Sequence, residues 1–340
     1  MKTQPQEVEA ISKILSNGII GKVIYSAINL GILDKIYQQK NTTLAEIAKQ
    51  NIICERSLYR VVKFLCCFKF VVVNVNGICK LTELGEHLLS DHPCKISDWI
   101  LFTGYPRHQA LWLDIGEAIS TGKPITEILY NKPYFQWISE DKTGQELFDN
   151  AMRYLSQQVN LHVVDAFDFS RASTIVDLGA GTGEQLCHIL EINSHLQGVL
   201  FDQKLTIENA KKNLLTKPYV MRLQFHSGDF FTSIPSGKDI YMLKSVLQDW
   251  NDDQVIKILI LCKNAMHADS KLLIIESLFN ETSDPDHSNF LDIYMLVLTG
   301  GIKRTRIDFE VLINKSGLSF LNMVDTISPT KEKILICCKK

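Results

Sequence analysis

The chain has 340 residues, 46% of them apolar and 22% charged, a balance that suits a globular protein long enough for two cored domains. Its formal net charge of −2 offers no basic field to nucleic acid or to an anionic membrane. No apolar stretch reaches the roughly 18 residues that a bilayer span requires, and "MKTQPQEVEAISKIL" lacks the grammar of a signal peptide, so a cytoplasmic protein is expected.

Residues 1–95 read as short helices closing on a small hairpin. "QEVEAISKILSNGIIGKVIYSAINLGILDKIYQ" carries apolar residues at helical spacing. In "TTLAEIAKQ", Thr43 is a plausible N-cap with Glu46 three residues on, the pattern of a capping box. "CERSLYRVVKFLCCF" supplies a second helix, and "KFVVVNVNGICKLT" alternates as two strands around Asn76-Gly77. Helix, turn, helix and hairpin make a winged-helix pattern. Its second helix offers only Arg56, Arg60 and Lys63 as cations, too few for a DNA interface. A dimerisation module is the better expectation.

Residues 96–168 are helical and rich in aromatics, among them Trp99, Trp112, Tyr134, Phe135 and Trp137. Such density is mostly core, with some rings available to line an apolar pocket. From about residue 172 the grammar changes. "STIVDLG", "GVLFD", "RLQFHSGD", "DIYMLKSV", "KLLIIESL" and "EKILICCKK" are short β-rich runs, with helical segments expected between the first five. Alternation of this kind predicts an α/β, doubly wound, mostly parallel sheet, whose ligands bind beyond the carboxyl ends of the strands.

The strand ends are therefore the informative positions. The first run ends "VDLGAGTGEQ": Asp177, then Gly179, Gly181 and Gly183 before a helix starting near Glu184. The glycines permit a tight turn and a close ligand approach. The spacing is not that of a dinucleotide fingerprint, and the acid suits a ligand bearing positive charge. Asp202 closes the second run, where it can accept from two ribose hydroxyls. Asp229 and Phe230 follow the third, fitted to an exocyclic amine and a purine face. Lys244 and then Gln248-Asp249-Trp250 follow the fourth, and Glu276 the fifth. Acids at three consecutive strand ends argue for one nucleoside site. The nine cysteines form no C-x-x-C pair, so no metal site is expected and the thiols read as reduced and mostly buried.

Taken together these motifs resemble the class I S-adenosylmethionine-dependent methyltransferases, specifically the small-molecule O-methyltransferases of plant phenolic, hydroxyindole and bacterial natural-product type. "AINLGILDKI", "RSLYRVVKFL" and "GICKLTELGEHLL" are similar to the family's dimerisation domain, "LWLDIGEAISTGKP" and "ELFDNAMRYLS" to its substrate helices, and "VDLGAGTGE", "GDFF", "YMLKSVLQDWNDDQ", "LLIIESL" and "LTGGIKRT" to its catalytic domain. The resemblance implies a winged-helix-like dimerisation domain over 1–95, a helical segment over 96–168 and a Rossmann-like methyltransferase domain over 169–340. It also implies S-adenosylmethionine as cofactor, held by Asp177, Gly179, Gly181, Gly183, Asp202, Asp229, Phe230, Lys244 and Trp250. Trp112, Met152, Asp292 and Met295 match positions near the acceptor, and a homodimer forms through the N-terminal domain.

The departures concern the chemistry. Where the family places a His-Asp-Trp whose histidine removes the acceptor proton, this chain has Gln248-Asp249-Trp250. Glu276 matches a family glutamate that orients that histidine. A second glutamate, in Gly-Gly-x-Glu-Arg-Thr, is here Lys303 of "GGIKRT". A glutamine forfeits the roughly 10²–10⁴-fold that a general base contributes. The expectation is O-methylation by alignment of a small aromatic or polyketide-like acceptor, with Gln248, Glu276, Lys303 and Asp249 as catalytic candidates and Lys303 as a cation for a developing oxyanion. The alternatives are a non-methylating reaction (cyclisation, rearrangement or decarboxylation) in a cofactor-binding relative, or a catalytically dead cofactor-binding dimer. His287 in "DPDHSNF", His108 and His226 are expected to be structural.

Overall fold

The computed structural model describes residues 5–39, 42–282 and 286–340. The chain divides into two compact units. One comprises Met1–Ala110 with Thr143–Tyr154, the other Leu111–Lys142 with Leu155–Lys340.

The first unit opens with a 25-residue helix, Pro5–Asn29, followed by shorter helices Ile32–Gln38, Leu44–Gln50 and Glu55–Cys67. The capping box forms as expected: the Thr43 hydroxyl accepts from Glu46 N at 3.4 Å, and the Glu46 carboxylate accepts from Thr43 N at 2.8 Å. Strands β1 (Val71–Val73) and β2 (Cys79–Leu81) pair antiparallel, with Val71 opposite Leu81. Gly77 turns between them with φ +75°, while the Asn74 side chain accepts from Asn76 N and Ile78 N. Leu33, Ile47, Leu58, Val62 and Leu65 close the core beneath these elements. The first helix keeps Val8, Ile11, Ile14, Leu15 and Ile19 exposed.

The second unit is built on a seven-stranded sheet. Its strands are β3 (Thr174–Leu178), β4 (Gln197–Asp202), β5 (Leu223–Ser227), β6 (Ile240–Lys244), β7 (Lys271–Ser277), β8 (Leu318–Asp325) and β9 (Glu332–Lys339). They lie in the order β5-β4-β3-β6-β7-β9-β8, the first five parallel and β9 antiparallel to both β7 and β8. Both faces are buried, which is why the strands read as continuous apolar runs. Successive side chains alternate between two cores: Ile240 and Met242 enter one, Tyr241 and Leu243 the other.

Two sequence expectations change here. Strand β8, "LSFLNMVD", is absent from the sequence reading, because its outer position leaves Leu321, Asn322 and Asp325 exposed and breaks the apolar run. Among the described residues no helix lies between β5 and β6, where a turn after Asp229 takes its place. The chain order reverses between β3 and β6, so the topology opens a crevice beyond the carboxyl ends of these two strands.

Candidate active site

Beyond β3, Gly179, Gly181 and Gly183 adopt φ values of +73°, +56° and +83°, a region other L-residues enter only at a cost of roughly 1–2 kcal/mol. Gly179 is also boxed in: a side chain there would meet Val246 Cγ2 at 2.7 Å. Above Gly181 nothing lies within 4 Å of where a side chain would begin. The loop is an open cradle, followed by the helix Glu184–Ile192. Asp202, at the end of β4, ties into it. One carboxylate oxygen accepts from Gly181 N at 2.8 Å and the other from Gln203 N at 2.6 Å. A carboxylate thus stands fixed at the mouth of a glycine loop, as recognition of vicinal hydroxyls requires.

Around this cradle stand the other residues read as cofactor-binding. Phe230 Cε1 lies 3.7 Å from the Cβ position of Gly179, and its ring packs edge-on to Trp250 with centroids 6.0 Å apart. Asp229 accepts from Phe231 N at 2.8 Å, which holds the turn that presents Phe230. Asp177 is buried, and desolvation pushes its carboxyl up to about 7 against the attraction of Lys244. Burial likewise lowers Lys244, whose Nζ donates to Ser156 Oγ at 2.9 Å.

Three of the four catalytic candidates, Gln248, Glu276 and Lys303, form one bonded cluster. Gln248 lies in a short 3₁₀ turn, Leu247–Asp249, just beyond β6. Its backbone N–H donates to Glu276 Oε1 at 3.3 Å, and its side-chain Oε1 accepts from Lys303 Nζ at 2.7 Å. Lys303 Nζ also donates to Glu276 Oε2 at 3.3 Å, and both of these side chains are only 1% exposed. Burial raises the Glu276 carboxyl while Lys303 opposes the shift. Lys303, expected as a cation for a developing oxyanion, is enclosed by, and bonded to, Glu276 and Gln248. Its backbone N–H donates to Asp292 Oδ1 at 2.9 Å, which anchors the segment to the helix His287–Leu298.

Two features missed in the sequence hold the cluster together. Arg304 donates to Leu247 O at 2.8 Å, to Trp250 O at 2.7 Å and to Asp252 Oδ1, so its fork clamps the turn that carries Gln248. Gly301 has no room for a side chain: a Cβ would stand 2.0 Å from Gln248 O, and Ile302 N donates to that same oxygen at 2.9 Å. Both residues belong to "GGIKRT" and flank Lys303. Asp249, the neighbour of Gln248, is pushed up to about 8 by burial and by the Glu276 charge, with Lys303 opposing. Burial, with a contribution from Asp249, raises the Tyr134 hydroxyl as well.

Of the residues expected near the acceptor, Trp112 packs edge-on to Tyr294 at 4.7 Å, and its buried indole Nε1 has no hydrogen-bond partner among the described residues. Met295 is buried on the same helix as Asp292. Met152 lies in the segment Thr143–Tyr154, which belongs to the first unit. His287 begins the helix of Asp292, and burial lowers its pKa. In "DPDHSNF", Asp284 and Pro285 fall outside the described residues. His108 is buried in the first unit, whereas His226 is exposed on β5. All nine cysteines are free; Cys79, Cys187, Cys262 and Cys337 are buried, whereas Cys54 and Cys67 are exposed, which corrects the reading of mostly buried thiols. Among the described residues no group of three or more His, Cys, Asp or Glu is arranged to hold a metal, and no helix is long and apolar enough to cross a membrane.

Comparison with known proteins agrees with this geometry. Residues 112–319 match an O-methyltransferase domain family. The chain is 32% identical to a phenazine O-methyltransferase of Lysobacter antibioticus, over 94% of each chain. It superposes on a mitomycin 7-O-methyltransferase with a TM-score of 0.92 at 29% identity, covering 98% of both chains. An O-methyltransferase from neocarzinostatin biosynthesis, solved with S-adenosyl-L-homocysteine and 1,4-dihydroxy-2-naphthoic acid, gives a TM-score of 0.82 at 25% identity over 94% of this chain and 96% of that one.

Proposed function

The chain belongs to the S-adenosylmethionine-dependent O-methyltransferases, and from that premise we propose that it methylates an oxygen of a small, planar natural-product acceptor of secondary metabolism by alignment, without a histidine base. The observation that carries this reading is the position of Gln248: bonded to Glu276 and Lys303, one turn past the strand that borders the glycine loop. S-adenosylmethionine supplies the electrophilic methyl group when bound. The loop of Gly179, Gly181 and Gly183 leaves it open space at Gly181, Asp202 offers the ribose acceptor, Phe230 the adenine face, and Lys244 and Asp177 the polar floor. Trp112 and Tyr294 offer the acceptor an aromatic wall.

An amide cannot remove a proton, so catalysis rests on orientation and on exclusion of water. Glu276 is held away from solvent, 1% exposed, with its oxygens bonded to Lys303 Nζ and Gln248 N, so it is not offered as the base. The exposed apolar residues Val8, Ile11, Leu15 and Ile19 of the first helix support a homodimer formed through the N-terminal unit in the cytoplasm. The decisive experiment is incubation with S-adenosylmethionine and a planar hydroxylated acceptor, with S-adenosylhomocysteine and methylated product counted together. Equal amounts support methyl transfer. Conversion of the acceptor with no S-adenosylhomocysteine formed would establish a non-methylating reaction instead.

A further inference from the structure

The side-chain amide of Gln248 has a defined direction. An ammonium group has donors and no acceptor, so the Gln248 atom 2.7 Å from Lys303 Nζ can only be the amide oxygen. The assignment of O and N, ambiguous for most glutamines, is fixed here by chemistry. Lys303 cannot swing away, because Glu276 holds the same ammonium at 3.3 Å and both side chains are buried. Among the described residues, that contact is the only hydrogen bond of the Gln248 side chain, and the residue is partly exposed, unlike its two partners. The Nε2 end, with its two N–H donors, is what remains for a ligand.

We propose that Gln248 meets the acceptor as a hydrogen-bond donor, so that the site selects acceptors whose reacting oxygen arrives already without its proton: hydroxyls acidified by conjugation to a carbonyl, as in hydroxyquinones and other vinylogous acids. This rests on the reading of the site as one for methyl transfer. A neutral phenol oxygen accepts from Nε2 only as a weaker, uncharged partner and keeps a proton that the amide cannot remove. An ionised oxygen accepts from the amide, needs no protein base, and so removes the demand that a histidine would meet. The same three residues explain the loss of the base and the kind of acceptor that tolerates it. Lys303 acts as a positioning residue for the amide and not as a direct contact.

The test is binding calorimetry with two acceptors of similar size, on protein saturated with S-adenosylhomocysteine. 2-Hydroxy-1,4-naphthoquinone carries an ionised vinylogous acid at neutral pH, and 2-naphthol a neutral phenol. A charge-assisted hydrogen bond predicts that the hydroxyquinone binds about tenfold or more tighter. Gln248→Glu keeps an oxygen for Lys303 but replaces the outward N–H donors with a carboxylate oxygen. It should weaken the hydroxyquinone about 30-fold or more while leaving S-adenosylhomocysteine affinity unchanged, which also certifies that the variant is folded. Equal binding of the two acceptors, preference for 2-naphthol, binding of neither, or indifference to Gln248→Glu overturns the proposal. Failure of the wild-type protein to bind S-adenosylhomocysteine would overturn the methyl-transfer reading beneath it as well.

Discussion

Lys303 Nζ lies 3.3 Å from Glu276 Oε2, and each side chain is 1% exposed. A buried ion pair adds little net stability, but removing one partner leaves an uncompensated charge, at about 3–5 kcal/mol. Lys303→Met should therefore destabilise the protein strongly in urea unfolding at neutral pH. Because burial already raises Glu276, the carboxylate escapes by taking up a proton, so the loss shrinks as the pH falls. Adding Glu276→Gln to Lys303→Met should recover most of the stability. A double variant as unstable as the single one would show that packing, and not charge, dominates the pair.

Asp202 is joined to the glycine loop by one carboxylate oxygen. Asp202→Ala should weaken S-adenosylmethionine about tenfold or more in calorimetry, the worth of a charged hydrogen-bond partner. Unchanged affinity would refute the ribose assignment.

Burial and the Glu276 charge push Asp249 up to about 8, whereas a free aspartate titrates near 3.9. Between about 4 and about 8 the folded state binds the extra proton, so stability falls as the pH rises through that window. Asp249→Asn should flatten the slope of melting temperature against pH there. Asp177, pushed up to about 7, shares the window, so part of the slope should survive. A variant with the full wild-type slope would mean that Asp249 ionises normally.

The first helix exposes Ile11 and Leu15 on its surface. If a second copy covers them, Ile11→Glu with Leu15→Glu should halve the mass found by sedimentation equilibrium while the folded core of each unit persists. An unaltered mass would move the interface elsewhere.

The conformation of the glycine loop and the places of the strand ends were legible in the sequence because they depend on local rules. Three glycines after a strand need positive φ, and acids at parallel strand ends converge wherever the sheet forms. Helix boundaries followed for the same reason, as at Thr43 and Glu184. The acceptor side was less legible, since it joins residues far apart in the chain. Residue type marked Lys303 as a cation; its enclosure depends on Glu276, 27 residues earlier in the chain. Arg304 and Gly301 stand in the "GGIKRT" motif, but their clamping and clearance roles depend on contacts with residues 247–252 that composition does not reveal. Strand β8 escaped because an edge strand does not need two apolar faces.

The missing side chain at Gly301 has a consequence for how this enzyme can be rebuilt. Residues 247–252 and 300–305 behave as a lock and its strike plate: Gly301 gives the clearance, Ile302 N the latch on Gln248 O, and Arg304 the bolt across Leu247 and Trp250. Placing a His-Asp-Trp turn in the first strip alone would seat a new side chain on a support cut for Gln248. Exchanging both strips together moves the whole fitting, and with it the aim of whichever side chain occupies position 248.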